Sequence, residues 1–398
     1  MVPAKIYNQR RENFSNNINN EPAVLTAFSA MQQTNDNAGP FVQESSFFWL
    51  TGITEPNWQL VLFGEKSWLV SPGKSDIHRI FDGGMSAEEA KRTSGVSEVI
   101  FEDEYKNLLK ELGDENPVVH TILRHPHSND FDFVLNPALQ RLHAKLQRSF
   151  SEVVDCRKEL SKLKAIKSAE EIELMQQAID ISIDGFNKVK ATLSIAKYEY
   201  EVEATLSFAF RSAGAEGHAY APIVGTGKNA CTLHYIENND AFAENGMVLI
   251  DAGAKVGSYA ADITRTYGIG TPSEREQAVH SEVEKAHKAI IELIQPGASI
   301  VDYHTKVDDI MKQALKNLKL FKAPTDYRRY FPHAVSHGLG IDVHDSLGGY
   351  EAFQPGMVLT VEPGIYIEEE GIGVRIEDDI LVTEEGNRNL SAALPTSL

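Results

Sequence analysis

Apolar residues in the chain follow two periods. Short runs at Ala23–Phe28, Leu60–Phe63, Trp68–Val70 and Val118–Leu123 read as strands, the third stopped by Pro72-Gly73. Ser86 to Ser94 has helical composition behind a serine cap, and the aromatic segment Ser45-Ser46-Phe47-Phe48-Trp49-Leu50-Thr51-Gly52 reads as core. This part, up to about residue 157, is mixed α/β and carries no catalytic constellation. Near Asp155–Lys167 basic residues thicken and strand patterning stops, which predicts a boundary between domains 1–157 and 158–398. Ser168-Ala169-Glu170-Glu171 then forms a capping box, followed by Ile172, Met175, Ile179 and Ile183 at helical spacing. Further helices fit Tyr198–Ala213, ended by Gly214, and Ser273–Ile294, stopped by Pro296-Gly297. Another fits Ile300–Leu318, with Ser299 and Asp302 placed for capping. Strand-like runs at Met247–Tyr267, Met357–Glu362 and Gly373–Thr383 fall between and after them. Helices with antiparallel hairpins predict an α+β second domain behind a smaller mixed α/β one.

Composition narrows the function classes. A length of 398 residues supports two domains. The formal charge of −19 argues against a broad nucleic-acid surface or an anionic-membrane surface. The two cysteines, Cys156 and Cys231, have neither CxxC nor Cys/His spacing, so a disulfide scaffold and a thiolate zinc site are not expected. The N-terminus has no apolar h-region and no stretch reaches membrane-span length, which predicts a cytoplasmic protein. Ile223–Lys228 (IVGTGK) lacks the glycine spacing of a phosphate loop and reads as a strand followed by a Gly turn.

The chemistry gathers on the two C-terminal hairpins. Val248-Leu249-Ile250 ends on Asp251, and Asp262 follows between Ala261 and Ile263. With Val256-Gly257 as the turn, counting places Asp251 directly opposite Asp262, on one face and roughly 4.5–5.5 Å apart at Cβ. A hairpin centred on Glu369-Glu370 places Glu362 opposite Glu377 in the same way. One such pair could be two ordinary surface acids; two pairs argue for a site. Between them lie His333, His337 and His344, in a segment where Pro332, Gly338 and Gly340 oppose a helix and therefore an H-E-x-x-H zinc motif. His234 stands alone in Thr232-Leu233-His234-Tyr235. Buried opposed carboxylates repel, and a divalent cation removes the conflict. Four carboxylates and one imidazole suit two divalent ions roughly 3.5–4 Å apart, sharing a hydroxide and polarising a carbonyl. The oxygen-rich set suits manganese, cobalt or magnesium better than a thiolate metal site would. The other histidines and Arg375 could hold substrate and stabilise an oxyanion, so the reaction class is hydrolysis of an amide or ester-like bond.

The order Asp251, Asp262, His337, Glu362, Glu377 resembles the five-ligand signature of the metallopeptidases with a pita-bread fold, which include methionine aminopeptidase, prolidase and aminopeptidase P. DAGAKVGSYAADITRT, HAVSHGLGIDVHD, TVEPGIY and GVRIEDD look like that family's blocks, in its order. HGLGIDVHD and the presence of an N-terminal domain resemble the proline-specific branch, and QESSFFWLTGITEPNWQLVLF resembles the N-domain of the aminopeptidase P type. The resemblance implies hydrolysis of the bond between an N-terminal residue and a following proline. Cleavage of Xaa-Pro dipeptides is the alternative, and a non-catalytic peptide-binding relative is disfavoured by the complete ligand set. It also implies roles: Asp251, Asp262, His337, Glu362 and Glu377 as metal ligands, with Glu362 as general base. His344 and His234 would sit near the scissile carbonyl and proline, His333 in the pocket wall, and Arg375 behind the ligands. The N-domain would help limit the pocket and mediate a homodimer or tetramer, with Asp36 able to reach a neighbouring site.

Overall fold

The computed structural model describes residues 2–123 and 134–398. The chain divides into two compact units, Met1–Lys164 and Ala165–Leu398. The helix Arg157–Ala165 therefore lies almost wholly in the first unit, past the boundary expected at 157/158.

In the first unit a six-stranded mixed sheet runs in the order Glu98–Ile100, Lys66–Val70, Gln59–Phe63, Ala23–Thr26, Val118–Thr121, Glu152–Asp155. All four strands expected here are present. The aromatic segment forms a short helix, Ser45–Thr51, buried at every position and ended by Gly52 at φ +69°. Ser86 caps Ala87–Ser94 through a complete capping box. Val24, Val61, Tyr105, Leu109, Val119 and Leu146 are among the residues that close its core.

The second unit is built twice over from the same parts. In one half, the helices Ala169–Thr192 and Glu199–Ser212 pack on each other and on the strands around Gly246–Asp251. In the other, Glu274–Ile291 and Ile300–Asn317 pack on each other, and the first of them covers the strands Val358–Val361 and Gly364–Ile367. Helix starts follow their caps: Ser168 and Ser273 form capping boxes, and Ser299 accepts from the Asp302 amide. Val279, Val283, Ile290, Val307 and Met311 meet Leu359, Val361, Ile365, Val374 and Ile380 in one large core. Each such side chain contributes about 1.5–3 kcal/mol on burial.

Only the second hairpin keeps its expected register. Gly364 pairs with Arg375 and Val361 with Asp378, so the intervening Glu362 and Glu377 face one another. The first hairpin turns one residue later, at Gly257-Ser258, with φ of +55° and +68°. A two-residue hairpin loop of this kind needs positive φ at both positions, and the β-branched Val256 cannot supply it. Asp251 therefore pairs with Thr264, not Asp262. The partner changes by two residues, so strand alternation keeps Asp262 on the same face as Asp251. Gly253 allows the strands to cross closely: a Cβ there would lie 1.7 Å from the Ala261 carbonyl oxygen.

Arg265 ties the two halves together from behind. It is 1% exposed, pairs with Asp378 at 2.6 Å, and donates to the carbonyls of Glu377 (2.6 Å), Thr264 (2.9 Å), Leu394 (2.8 Å) and Pro395 (3.1 Å). Arg265→Met leaves the buried Asp378 with only the neutral donors Ser391 and Asn389 and no guanidinium, and should lower unfolding free energy by about 3–5 kcal/mol. Breaking the half-exposed Arg275–Glu370 pair by Arg275→Met should cost at most about 1 kcal/mol. Urea midpoints of the two variants against wild type check the contrast.

Candidate functional site

Both hairpins and the segment between them open onto one cavity of about 530 Å³. Asp251, Asp262, Glu362, Glu377, His234, His333, His337, His344 and Arg375 all line it, together with Tyr220, Ile223, Leu233, Ile236 and Val343. The structure thus brings together all nine residues singled out from the sequence. The segment from His333 to His344 contains no helix, and a bridge between Gly338 and Asp345 closes it into a loop.

Its innermost part is a knot of acids. Asp262, His337 and Glu377 each offer one ligand atom, and these lie within 4.8 Å of one another. His337 Nε2 is 3.5 Å from Asp262 Oδ2 and 3.5 Å from Glu362 Oε1. The His337 Nδ1–H donates to the Gly338 carbonyl at 2.9 Å, which leaves Nε2 as a lone pair facing the acids. Burial holds the His337 imidazole down at about 4, so it is neutral at ordinary pH. Burial, then the charges of Asp251 and Asp379, push the Asp262 carboxyl well above the usual carboxylate range. Burial and Glu377 do the same to Glu362, and burial with Asp262 and Asp251 to Glu377.

This donor set fits a divalent cation. Carboxylates that resist ionising beside one another need positive charge among them, and a neutral imidazole with its proton turned away is a ready ligand. Oxygen and imidazole without thiolate suit manganese, zinc, cobalt or magnesium.

Around the acids stands a ring of fixed donors. Arg375 Nη2 is 2.5 Å from Asp251 Oδ2, and its Nε donates to Thr264 Oγ1 at 3.1 Å. Thr264 in turn donates to Glu377 Oε2 at 2.6 Å. Arg375 Nη1 donates to the Tyr366 hydroxyl (2.9 Å), which lies 2.9 Å from His333 Nε2. His333 Nδ1 is 2.6 Å from its own neighbour's carbonyl, Ala334, and 3.7 Å from Glu362 Oε2. Burial and then the Arg375 charge hold His333 at about 3, a neutral wall residue. His344 packs edge-on to His337, with ring centroids 4.5 Å apart. Behind Asp262, its backbone amide donates to the buried Asp379 at 3.1 Å.

Two contributors escaped the sequence reading. Tyr220 places its hydroxyl 2.5 Å from Asp251 Oδ1 and 2.6 Å from Asp262 Oδ1. It lies far from the acids in sequence, in Ala219-Tyr220-Ala221-Pro222, with no signal to mark it. Thr264 was findable: it follows Asp262 by two, so strand alternation puts it on the same face.

Residues 173–384 match the model of metallopeptidase family M24, and residues 7–120 match that of the aminopeptidase P N-terminal domain. The chain is 35% identical to a Xaa-Pro aminopeptidase of Haemophilus influenzae, covering 100% of this chain and 96% of that protein. It is 31% identical to a Xaa-Pro aminopeptidase of Escherichia coli, covering 94% and 90%. Among solved structures it is similar to E. coli aminopeptidase P with the inhibitor Pro-Leu (TM-score 0.87, 29% identity, 100% and 96% covered). It is also similar to zinc-substituted E. coli aminopeptidase P in complex with product (TM-score 0.88, 28% identity, 100% and 96% covered).

A cation at the acid knot would bind the folded state and not the unfolded one. Mn²⁺ at about 100 times its dissociation constant should add about 2.7 kcal/mol of stability. Asp262→Asn should lose most of that gain, while its metal-free form melts no lower than metal-free wild type, since a neutral amide replaces a carboxyl that burial and its acidic neighbours already keep from ionising. Thermal scans with EDTA and with excess Mn²⁺ check both.

Proposed function

This chain belongs to metallopeptidase family M24, and we propose that it is a metal-dependent Xaa-Pro aminopeptidase, removing the first residue of peptides with proline in second position. The observation that carries the reading is the convergence of four carboxylates and the neutral His337, its Nε2 turned toward the acids, in a cavity that also holds three more histidines and Arg375. Full-length similarity to Xaa-Pro aminopeptidases supports it.

Asp251, Asp262, His337, Glu362 and Glu377 would hold two divalent ions, manganese first among the candidates. Bound there, the ions supply Lewis acidity for the scissile carbonyl and lower the pKa of the attacking water. The chain's own groups do the rest. Glu362, kept between His337 at 3.5 Å and His333 at 3.7 Å, takes the proton from water as its oxygen adds to the carbonyl carbon. It returns that proton to the proline nitrogen as the C–N bond breaks. Arg375, braced by Asp251, Thr264 and Tyr366, holds the acids in place. His234 and His344 stand by the scissile carbonyl and the proline, with Ile223, Leu233, Ile236 and Val343 as an apolar lining that suits a pyrrolidine ring. An Xaa-Pro bond offers no N–H, so peptidases that bind that N–H handle it badly; none of these contacts needs it.

The homodimer or tetramer expected through the N-terminal domain, and the cytoplasmic location, belong to this proposal. Among the described residues no helix is long and apolar enough to cross a membrane.

On Mn²⁺-loaded protein, an Xaa-Pro-Yaa tripeptide should be cleaved faster than an Xaa-Pro dipeptide, and a chelator should stop both. Turnover of the dipeptide alone would instead mean a dipeptidase. Glu362→Gln should lower kcat by about 10²–10⁴-fold. Asp262→Ala and His337→Ala should abolish turnover in soluble protein, and wild-type activity in either would sink the assignment.

A further inference from the structure

We propose that Glu199 is a positioning residue for this reaction: its buried carboxylate clamps the loop 227–240 and thereby sets where the His234 imidazole stands. The inference rests on reading the cavity as a Xaa-Pro aminopeptidase site.

The four acids lie on or next to the ends of paired strands, but His234 does not. Its segment has no regular structure beyond the 3-10 turn Asn229–Cys231. Yet Leu233, His234 and Ile236 all line the cavity, so this loop builds a wall of the site without a ladder to hold it. Glu199 takes the ladder's place.

Glu199 is the first residue of the helix Glu199–Ser212 and is 0% exposed. Its Oε1 accepts from the Thr226 amide (2.9 Å), the Thr226 hydroxyl (3.1 Å) and the Asn229 side-chain amide (3.2 Å). Its Oε2 accepts from the Tyr235 hydroxyl (2.8 Å) and the Asp240 amide (2.9 Å). Five neutral donors thus saturate the roughly four lone-pair directions of one carboxylate. They come from the residue before the loop, its first turn, the neighbour of His234, and its end. Tyr235 is doubly held, since its hydroxyl also accepts from the Asn239 amide at 3.2 Å. One helical turn on, Glu203 accepts from Asn238 at 2.9 Å, where the loop passes through φ +48°. The helix therefore grips the loop along one face, and nothing in this grip touches the acid knot.

An amide at position 199 would offer one acceptor oxygen and turn an NH₂ group toward donors. The loop would loosen around Tyr235 and move the adjacent imidazole; a displacement on the order of 1 Å is worth about 10²-fold in rate.

The test is a double-mutant cycle. Wild type, Glu199→Gln, His234→Ala and the double variant are compared by kcat/KM on an Xaa-Pro-Yaa tripeptide with Mn²⁺, with hydrogen exchange followed alongside. Glu199→Gln should lower kcat/KM by about 10²-fold, hasten exchange in 227–240 only, and keep the Mn²⁺-induced rise in Tm. In the His234→Ala background it should cost less than about threefold more, because the group it positions is gone. Tyr235→Phe removes one donor, leaves the other four, and should give the same pattern at smaller amplitude; it carries the test if Glu199→Gln fails to fold. Fully additive losses, or unchanged loop exchange, would overturn the proposal. An inactive wild type would overturn the catalytic reading instead, and loop exchange would still decide whether Glu199 holds the loop.

Discussion

Mutual repulsion among Asp251, Asp262, Glu362 and Glu377 is the constraint that the second unit is built to withstand. Two like charges 4 Å apart at an effective dielectric of 20 oppose each other by about 4 kcal/mol. Here four carboxylates share one cavity. Left to relax, they would turn outward or splay the hairpins. Arg375 on Asp251, Tyr220 shared between Asp251 and Asp262, and Thr264 on Glu377 oppose this from the front. Arg265 opposes it from behind, by binding the carbonyls of Thr264 and Glu377 at once, one from each hairpin. The stability of the fold is thus partly committed to keeping an electrostatically unfavourable arrangement ready for a cation, as functional sites commonly require.

Strands are suited to that task. Paired strands fix the direction of every second side chain, so acids at the ends of four strands converge without long flexible stems. The two halves supply one hairpin each, and their outer helices anchor the strands through a shared apolar core. That is why the ligand candidates could be recognised in sequence as acids closing apolar runs: the run is the anchor and the acid is what it presents.

What was legible followed from local rules. Helix starts at Ser168, Ser273 and Ser299 were visible because a cap is a short-range device. The Glu362–Glu377 register was countable because its turn lies at the centre of the hairpin. The Asp251 register was misjudged by one turn residue, since the choice between Val256-Gly257 and Gly257-Ser258 depends on which pair can take positive φ. The error did not move Asp262 off the face, because pairing partners change in steps of two. Tyr220 was invisible for the opposite reason. Its contact with the acids is made by tertiary folding alone, across 31 and 42 residues of chain, and no periodicity announces it.

The cavity therefore has two kinds of wall, held by different physics. The acid wall is set by strand pairing, and a substitution there disturbs backbone ladders, buried charge and metal affinity together. The wall carrying Leu233, His234 and Ile236 is held by side-chain hydrogen bonds to one helix and by the packing of Leu233 and Tyr235 against Ile223, Leu249 and Tyr366. Such a wall can be reshaped by changing a few apolar side chains while Glu199 keeps its five donors and the acids keep their register. Separating the two makes substrate fit adjustable without renegotiating the electrostatics, whereas the reverse is not true. Any change that loosens the acid hairpins also moves the floor against which the loop places its histidine.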